Sequence, residues 1–595
     1  MLYFLSGKSS KNMCKRMRSV GFSSLTQITM CLMLLLASGC AVLPDASMSA
    51  ENADRKNNVS QALPLAPDAA LNYHILAGEM AAQRGVYDEA AAQFLQAAAL
   101  SEEPELAEKA ARFALYSGGV DAARLAVDYW IAWQPGALPA RELALNLYLA
   151  RDDRVAVMSH AKAIINLHPE GSAAGFRTVA LILSSDPGKA DLALGLLRDL
   201  VSEYASSEEA RYALALAALR LERFDTAISE SEAVITSRRD WVDAYLLKAT
   251  AEVRAGRLDD ADITMKRVRT LDPRNEKVIL DYARLLLDSG YEKRAAREFT
   301  RVLTVSRNNT DALYALGLLS LDSNKFDTAY SYFKRMYESV DTQNSGEAAY
   351  FLGVTEESRQ NYQEALDWYT QINTGNFVFE ASQRRAYMYY KLGDLDKARQ
   401  YLRQLRLLYP RQELKLILTE ADLLYEERDY TAAVELYDEA LAQFPEDTDL
   451  LYGRALILSE LNHIDRAEAD LRLILKEQPN DSRSLNALGY ILTNHSTRFE
   501  EALGYITAAL EQAPDDAAIL DSMGWVQYRL GNLDTSLKYL ENAYQRQRDA
   551  EIAAHLGEVL WKMGNTQKAR KIWQDALEQN PDHPVLNETI QRFQQ

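Results

Sequence analysis

A repeat of about 34 residues runs through this chain from Leu71 to its end, and no other feature narrows the possible folds as far. Small residues set its register at Ala90, Ala123, Val157, Ala193, Ala227, Ala261, Ala295, Ala329, Ala365, Ala398, Ala433, Ala467, Ala502, Ser536 and Ala569, spaced by 33 to 36 residues. Val157, Ala193 and Ser536 fit the pattern least well. Twelve residues after many of these sits a proline: Pro135, Pro169, Pro273, Pro410, Pro445, Pro479, Pro514 and Pro581. Twelve residues before them stands a second small residue, among them Gly78, Ala249, Gly353, Ala386, Ala421 and Gly557. A large apolar residue follows four positions later, as at Phe94, Phe299, Tyr369, Leu402, Tyr437 and Trp573.

Each mark has a mechanical reading. Two small positions let two helices approach closely. A glycine or polar turn between them, such as Gly256 or Gly393, ends the first helix through the left-handed conformation. Proline ends the second, because it cannot continue the hydrogen-bond ladder. Apolar residues recur at helical spacing between the breaks, and nothing reads as a strand. The pattern predicts an all-α solenoid of about fifteen helix pairs over residues 69–583, closed by a capping helix at 584–595. One pair cannot bury its apolar face alone; stacked neighbours share a continuous core. The two longer spacings, near Ser184 to Lys189 and Val340 to Gly346, are expected to be protruding loops.

The period, the small residues and the terminal prolines resemble the tetratricopeptide repeat. The segment from Ala386 to Pro410 comes close to the family pattern. The resemblance implies a right-handed superhelix whose first helices line a concave groove, through positions three before, one after and four after the small residue. Carried onto this chain, that registration places Tyr314, Tyr350, Tyr387, Tyr390, Tyr425, Tyr452, Trp525, Tyr528 and Trp561 on the inner surface. Tyr490 joins them if Gly489 is the small residue of its repeat. Tyrosine and tryptophan offer large contact area at little entropic cost, with a polar handle, so a groove lined by them suits an extended polypeptide. The alternative is that the same rings pack between neighbouring helices.

Catalytic chemistry finds no footing in the sequence. There is no dinucleotide fingerprint, no phosphate-cradling loop and no HExxH or GxSxG. The histidines are scattered over different repeats, at His74, His160, His168, His463, His495, His555 and His583. His160 and His168 share roughly one helical face, but solvated or capping roles fit them better than a metal site. Acidic pairs such as Glu102–Glu103 and Glu426–Glu427 read as solvated helix faces. No enzyme, cofactor or metal is expected. The net charge is −19, and the surface repels nucleic acid phosphates and anionic lipid headgroups.

The first 39 residues form a separate unit. Lys8, Lys11, Lys15, Arg16 and Arg18 make a basic leader without acidic residues, followed by an apolar stretch from Ile28 to Leu36. Its end, LeuLeuLeuAlaSerGlyCys at 34–40, resembles a bacterial lipoprotein signal. The resemblance implies cleavage before Cys40 and acylation of that cysteine, each buried methylene contributing about 0.8 kcal/mol to anchoring. Cys14 and Cys31 would leave with the leader, excluding disulfides thereafter. Ala41, where an aspartate would favour inner-membrane retention, implies the periplasmic face of the outer membrane. Translation could start at Met1, Met13 or Met17. Residues 40–68, rich in proline, serine, asparagine and alanine, read as a disordered tether reaching roughly 30 Å.

Leader, tether and solenoid together resemble bacterial outer-membrane tetratricopeptide lipoproteins. The first two repeats, from Leu71 to Leu100 and through TyrTrpIleAlaTrpGlnPro at 129–135, are similar to the pseudomonad lipoprotein adaptors of a periplasmic carboxyl-terminal processing protease. That resemblance implies a scaffold that binds and activates a serine protease and presents peptidoglycan hydrolases to it. A scaffold for exopolysaccharide export or pilus secretin assembly is the competing reading.

Overall fold

In a computed structural model, the structure describes residues 67–339 and 345–594. The leader, Cys40, the tether up to residue 66 and most of the second long spacing lie outside the described residues. Among the described residues every regular element is helical: fifteen pairs of α-helices, from Pro67–Gln83 with Tyr87–Ser101 to Ala550–Lys562 with Thr566–Gln579, then a final helix Pro584–Gln594. None of these helices is long and apolar enough to cross a membrane. The contacts divide the chain into two compact units, one ending at Leu319 and one beginning at Ser320.

Within each unit the local rules of the repeat are met residue by residue. All fifteen register positions, including Val157 and Ser536, are fully buried. The second helices that precede a proline stop two residues short of it, as in Val120–Trp133 before Pro135 and Tyr430–Gln443 before Pro445. Proline disfavours helical geometry in the residue ahead of it, which sets the stop. Thirteen of the fifteen turns place a residue in the left-handed region five positions before the register residue. Seven use glycine, and six use Asp152, Glu222, Asn324, Gln360, Arg428 or Asn462, at φ of 55° to 65°. Aspartate side chains cap many of the following helices; Asp447 accepts from the amides of Asp449 and Leu450, and Asp516 from those of Ala518 and Ile519.

Close approach explains the second small position. A Cβ on Gly353 would lie 2.5 Å from Cε1 of Tyr369, the fully buried ring of the opposing helix. The core of the first unit is built largely from alanine, leucine and valine, as around Ala110, Val127 and Ala144. That of the second adds Tyr369, Tyr437 and Trp573.

The first long spacing, exposed from Ser185 to Gly188, is an ordered turn and not a free loop. It forms a 3-10 turn, Pro187–Lys189, and Lys189 folds back onto the preceding pair. Its ammonium donates to the carbonyls of Leu149 and Ala150 at 2.9 and 2.7 Å and to Asp152 at 2.6 Å. Those carbonyls lie in the last turn of helix Leu138–Ala150, where Leu149 also accepts from the Asp152 amide, so a lysine there adds donors and complements the helix dipole.

Candidate functional site

In the second unit, three successive first helices, Glu413–Glu426, Thr448–Glu460 and Ser482–His495, enclose a cavity of about 240 Å³. Helical spacing brings the lining side chains together: Asp422, Tyr425 and Glu426 from one helix, Leu456, Ile457 and Glu460 from the next, Tyr490 and Ile491 from the third. Tyr437, from the second helix Tyr430–Gln443, supplies the floor.

The electrostatics of this cavity are unusual for the unit. Elsewhere in the unit the buried carboxylates have basic partners, a guanidinium in most cases and His555 at Asp521. Fully buried Glu420 is held by Arg399 at 2.9 Å and by Arg406; Asp470 meets Arg454 at 2.7 Å, and Glu357 meets Arg384 at 2.8 Å. Asp422, Glu426 and Glu460 have no ion pair among the described residues. Burial, reinforced by Glu426, pushes the Asp422 carboxyl up to about 7. Burial likewise raises Glu426 against the pull of Lys391, and raises Glu460 with help from Glu551. Tyr437 is 1% exposed, and its hydroxyl has no hydrogen-bond partner among the described residues. Burial and the charges of Asp422 and Asp449 hold its proton on.

The ten aromatic residues singled out from the sequence do not form one cluster. Tyr314 is half-buried in the first unit; the other nine are in the second. Tyr425 and Tyr490 share the cavity, and Tyr390 lies beside Glu426 and Glu427. Tyr387 neighbours Tyr390 at 6.0 Å, with the Lys391 ammonium 5.6 Å from its ring. Tyr452 carries the Arg483 guanidinium over its face at 5.3 Å. Others are engaged in packing: Tyr350 stacks on Phe377 at 4.9 Å, and Trp561 on Trp573 at 5.7 Å. Trp525 stacks on buried His555 at 4.1 Å and donates to Asn494, while Tyr528 donates to Glu558 at 2.9 Å.

Sequence reasoning missed the acidic half of the cavity. Glu426, read as one of a solvated pair, is half-buried in its wall. Asp422, Glu460 and the Tyr437 hydroxyl carried no signal, since only the stacking of three pairs brings them together. His160, expected to be solvated or capping, is buried and stacks on Tyr148 at 5.3 Å, whereas His168 accepts from the Glu170 amide at its helix end.

Fold and cavity together define a helical-repeat protein of the protein-binding kind. The chain belongs to the tetratricopeptide-repeat family. Models of the tetratricopeptide repeat match residues 212–276, 314–373, 380–411, 424–489 and 522–584. The chain is 32% identical over 487 residues to the TPR repeat-containing protein PA4667 of Pseudomonas aeruginosa, covering 81% of each chain. Among solved structures it is similar to the APC/C hetero-tetramer Cut9–Hcn1, with 14% identity over 88% of this chain and 96% of that one and a TM-score of 0.32. It is also similar to TTC0263, a thermophilic TPR protein of Thermus thermophilus, with 23% identity over 30% of this chain and 99% of that one and a TM-score of 0.28. Proteins of this family generally act as non-enzymatic scaffolds that bind other proteins.

Proposed function

We propose that this protein is a lipid-anchored adaptor on the periplasmic face of the outer membrane, which binds and activates a carboxyl-terminal processing protease and presents peptidoglycan hydrolases to it. The observation that carries the binding reading is the tyrosine- and carboxylate-lined cavity on the first-helix face of residues 413–495, which offers an extended polypeptide both ring surface and polar anchors. The catalytic serine belongs to the partner. The adaptor contributes effective concentration, holding enzyme and substrate together without chemistry of its own.

The two ends differ in character. Helix Pro67–Gln83 exposes Tyr73, Leu76 and Met80 on one face, a stripe that suits docking of a folded partner. In this reading the protease docks on the first repeats and substrate enters the groove of the second unit. Affinity capture from periplasmic extract on the tagged, full chain tests it. Recovery of a serine protease together with wall hydrolases, and faster proteolysis on adding the adaptor, is the expected result. Recovery of a secretin or polysaccharide porin without effect on proteolysis would assign the protein to envelope assembly instead.

A further inference from the structure

We propose that the cavity of the second unit receives a lysine side chain of an extended partner peptide, its ammonium group held by Asp422, Glu426 and the Tyr437 hydroxyl. The inference rests on the peptide-binding reading above and gives that peptide its chemistry.

Four observations converge. Half-buried carboxylates such as Asp422 and Glu426 are costly when unpaired, and the rest of the unit supplies its buried ones with basic partners, arginine at Glu420, Asp470 and Glu357 and histidine at Asp521. The cavity breaks that rule with its carboxylates, so a cation from outside restores the balance. The Tyr437 side chain is a second, independent observation: it is 1% exposed, lines the cavity, and its hydroxyl has no hydrogen-bond partner among the described residues. An ammonium carries three donors and can satisfy a phenol oxygen and two carboxylates at once. The ring faces of Tyr425 and Tyr490 add cation–π attraction, and the apolar wall takes the methylene stem. A metal ion is a poorer occupant, because no three acidic, histidine or cysteine side chains among the described residues converge closely enough to hold one. The face continues beyond the cavity, with Tyr390 beside Glu426 and Tyr490 bonded to Glu551, which gives a peptide backbone a path that a free amine would not use.

The test is fluorescence anisotropy with the full chain in mild detergent, titrated into a short labelled alanine–serine peptide bearing one lysine, and into the same peptide with norleucine in its place. Three proteins are compared: the natural chain; a site variant, Asp422→Asn with Glu426→Gln; and an off-site variant, Glu500→Gln with Asp534→Asn, which removes the same charge from exposed positions. The lysine peptide is expected to bind at least about tenfold tighter than the norleucine peptide, an advantage lost in the site variant and kept in the off-site one. Tyr437→Phe, which removes only the hydroxyl, should weaken the lysine peptide alone by about threefold to tenfold. Circular dichroism melts establish that each variant is folded. Equal weakening in both charge variants would reduce the effect to net charge and overturn the proposal. Indistinguishable binding of the two peptides would overturn it while leaving the peptide-binding groove intact. Absence of any peptide binding would remove both readings. Binding of n-pentylamine as tight as that of the lysine peptide would overturn the assignment to a peptide.

Discussion

Single residues decide how closely the helices pack, and the tightest positions make direct tests. Gly353 leaves no room for a methyl group beneath Tyr369, so Gly353→Ala should cost about 1–3 kcal/mol through overpacking, read as a lower denaturant midpoint. His555 carries a pH dependence. Burial opposes its charge, but Asp521, bonded to it at 2.9 Å, together with Glu551 and Glu558, outweighs burial and raises its pKa above 6.5. A raised folded-state value means that stability is fully present below the unfolded pKa and is lost as pH rises through the folded one. NMR titration should place the His555 midpoint above 6.5, and Asp521→Asn should move it down. The sequence shows neither effect. It offers a scattered histidine and an aromatic at a groove position, whereas the structure stacks Trp525 on that histidine and so takes much of one ring face out of reach.

At the scale of the helix pair, more was legible. Pro135 or Pro445 marks a helix end because a local steric rule, independent of tertiary context, operates there. The register residues were readable for a related reason: only small or compact side chains fit where two helices touch. The turns follow the same logic with a residual cost. Glu222 holds a left-handed conformation, at φ of 58°, where other turns use glycine. Glu222→Gly should therefore raise stability by about 0.5–1 kcal/mol, measured as an increased melting temperature. The order of the Pro187–Lys189 turn is not legible, because spacing counts residues but does not reveal that Lys189 reaches three oxygens of the preceding pair. The acidic cavity was illegible for a parallel reason. Glu426 looks solvated along its own helix and becomes buried only when the next two pairs are laid beside it.

For the molecule as a whole, the proposal makes location and partner choice separable. Cys40→Ser should release the protein from the membrane fraction while leaving capture of its partners by the soluble form unchanged; loss of capture in solution would tie binding to the anchor. Capture through the groove should weaken as salt rises, since an acidic surface meeting a basic segment is screened within roughly 10 Å at 0.1 M ionic strength.

The connections between helices have a bearing on survival. In the proposed role the protein would work beside a protease without being digested by it, and cleavage requires a stretch of backbone that can be drawn out and extended. Most links here are three or four residues long, and those within pairs are mostly fixed by a residue in the left-handed region. The longest run without helix among the described residues is 371–377. Limited digestion with a nonspecific protease should nick there well before it opens the linkers of the pairs on either side, and a chain shortened at that point would resist the same treatment for longer.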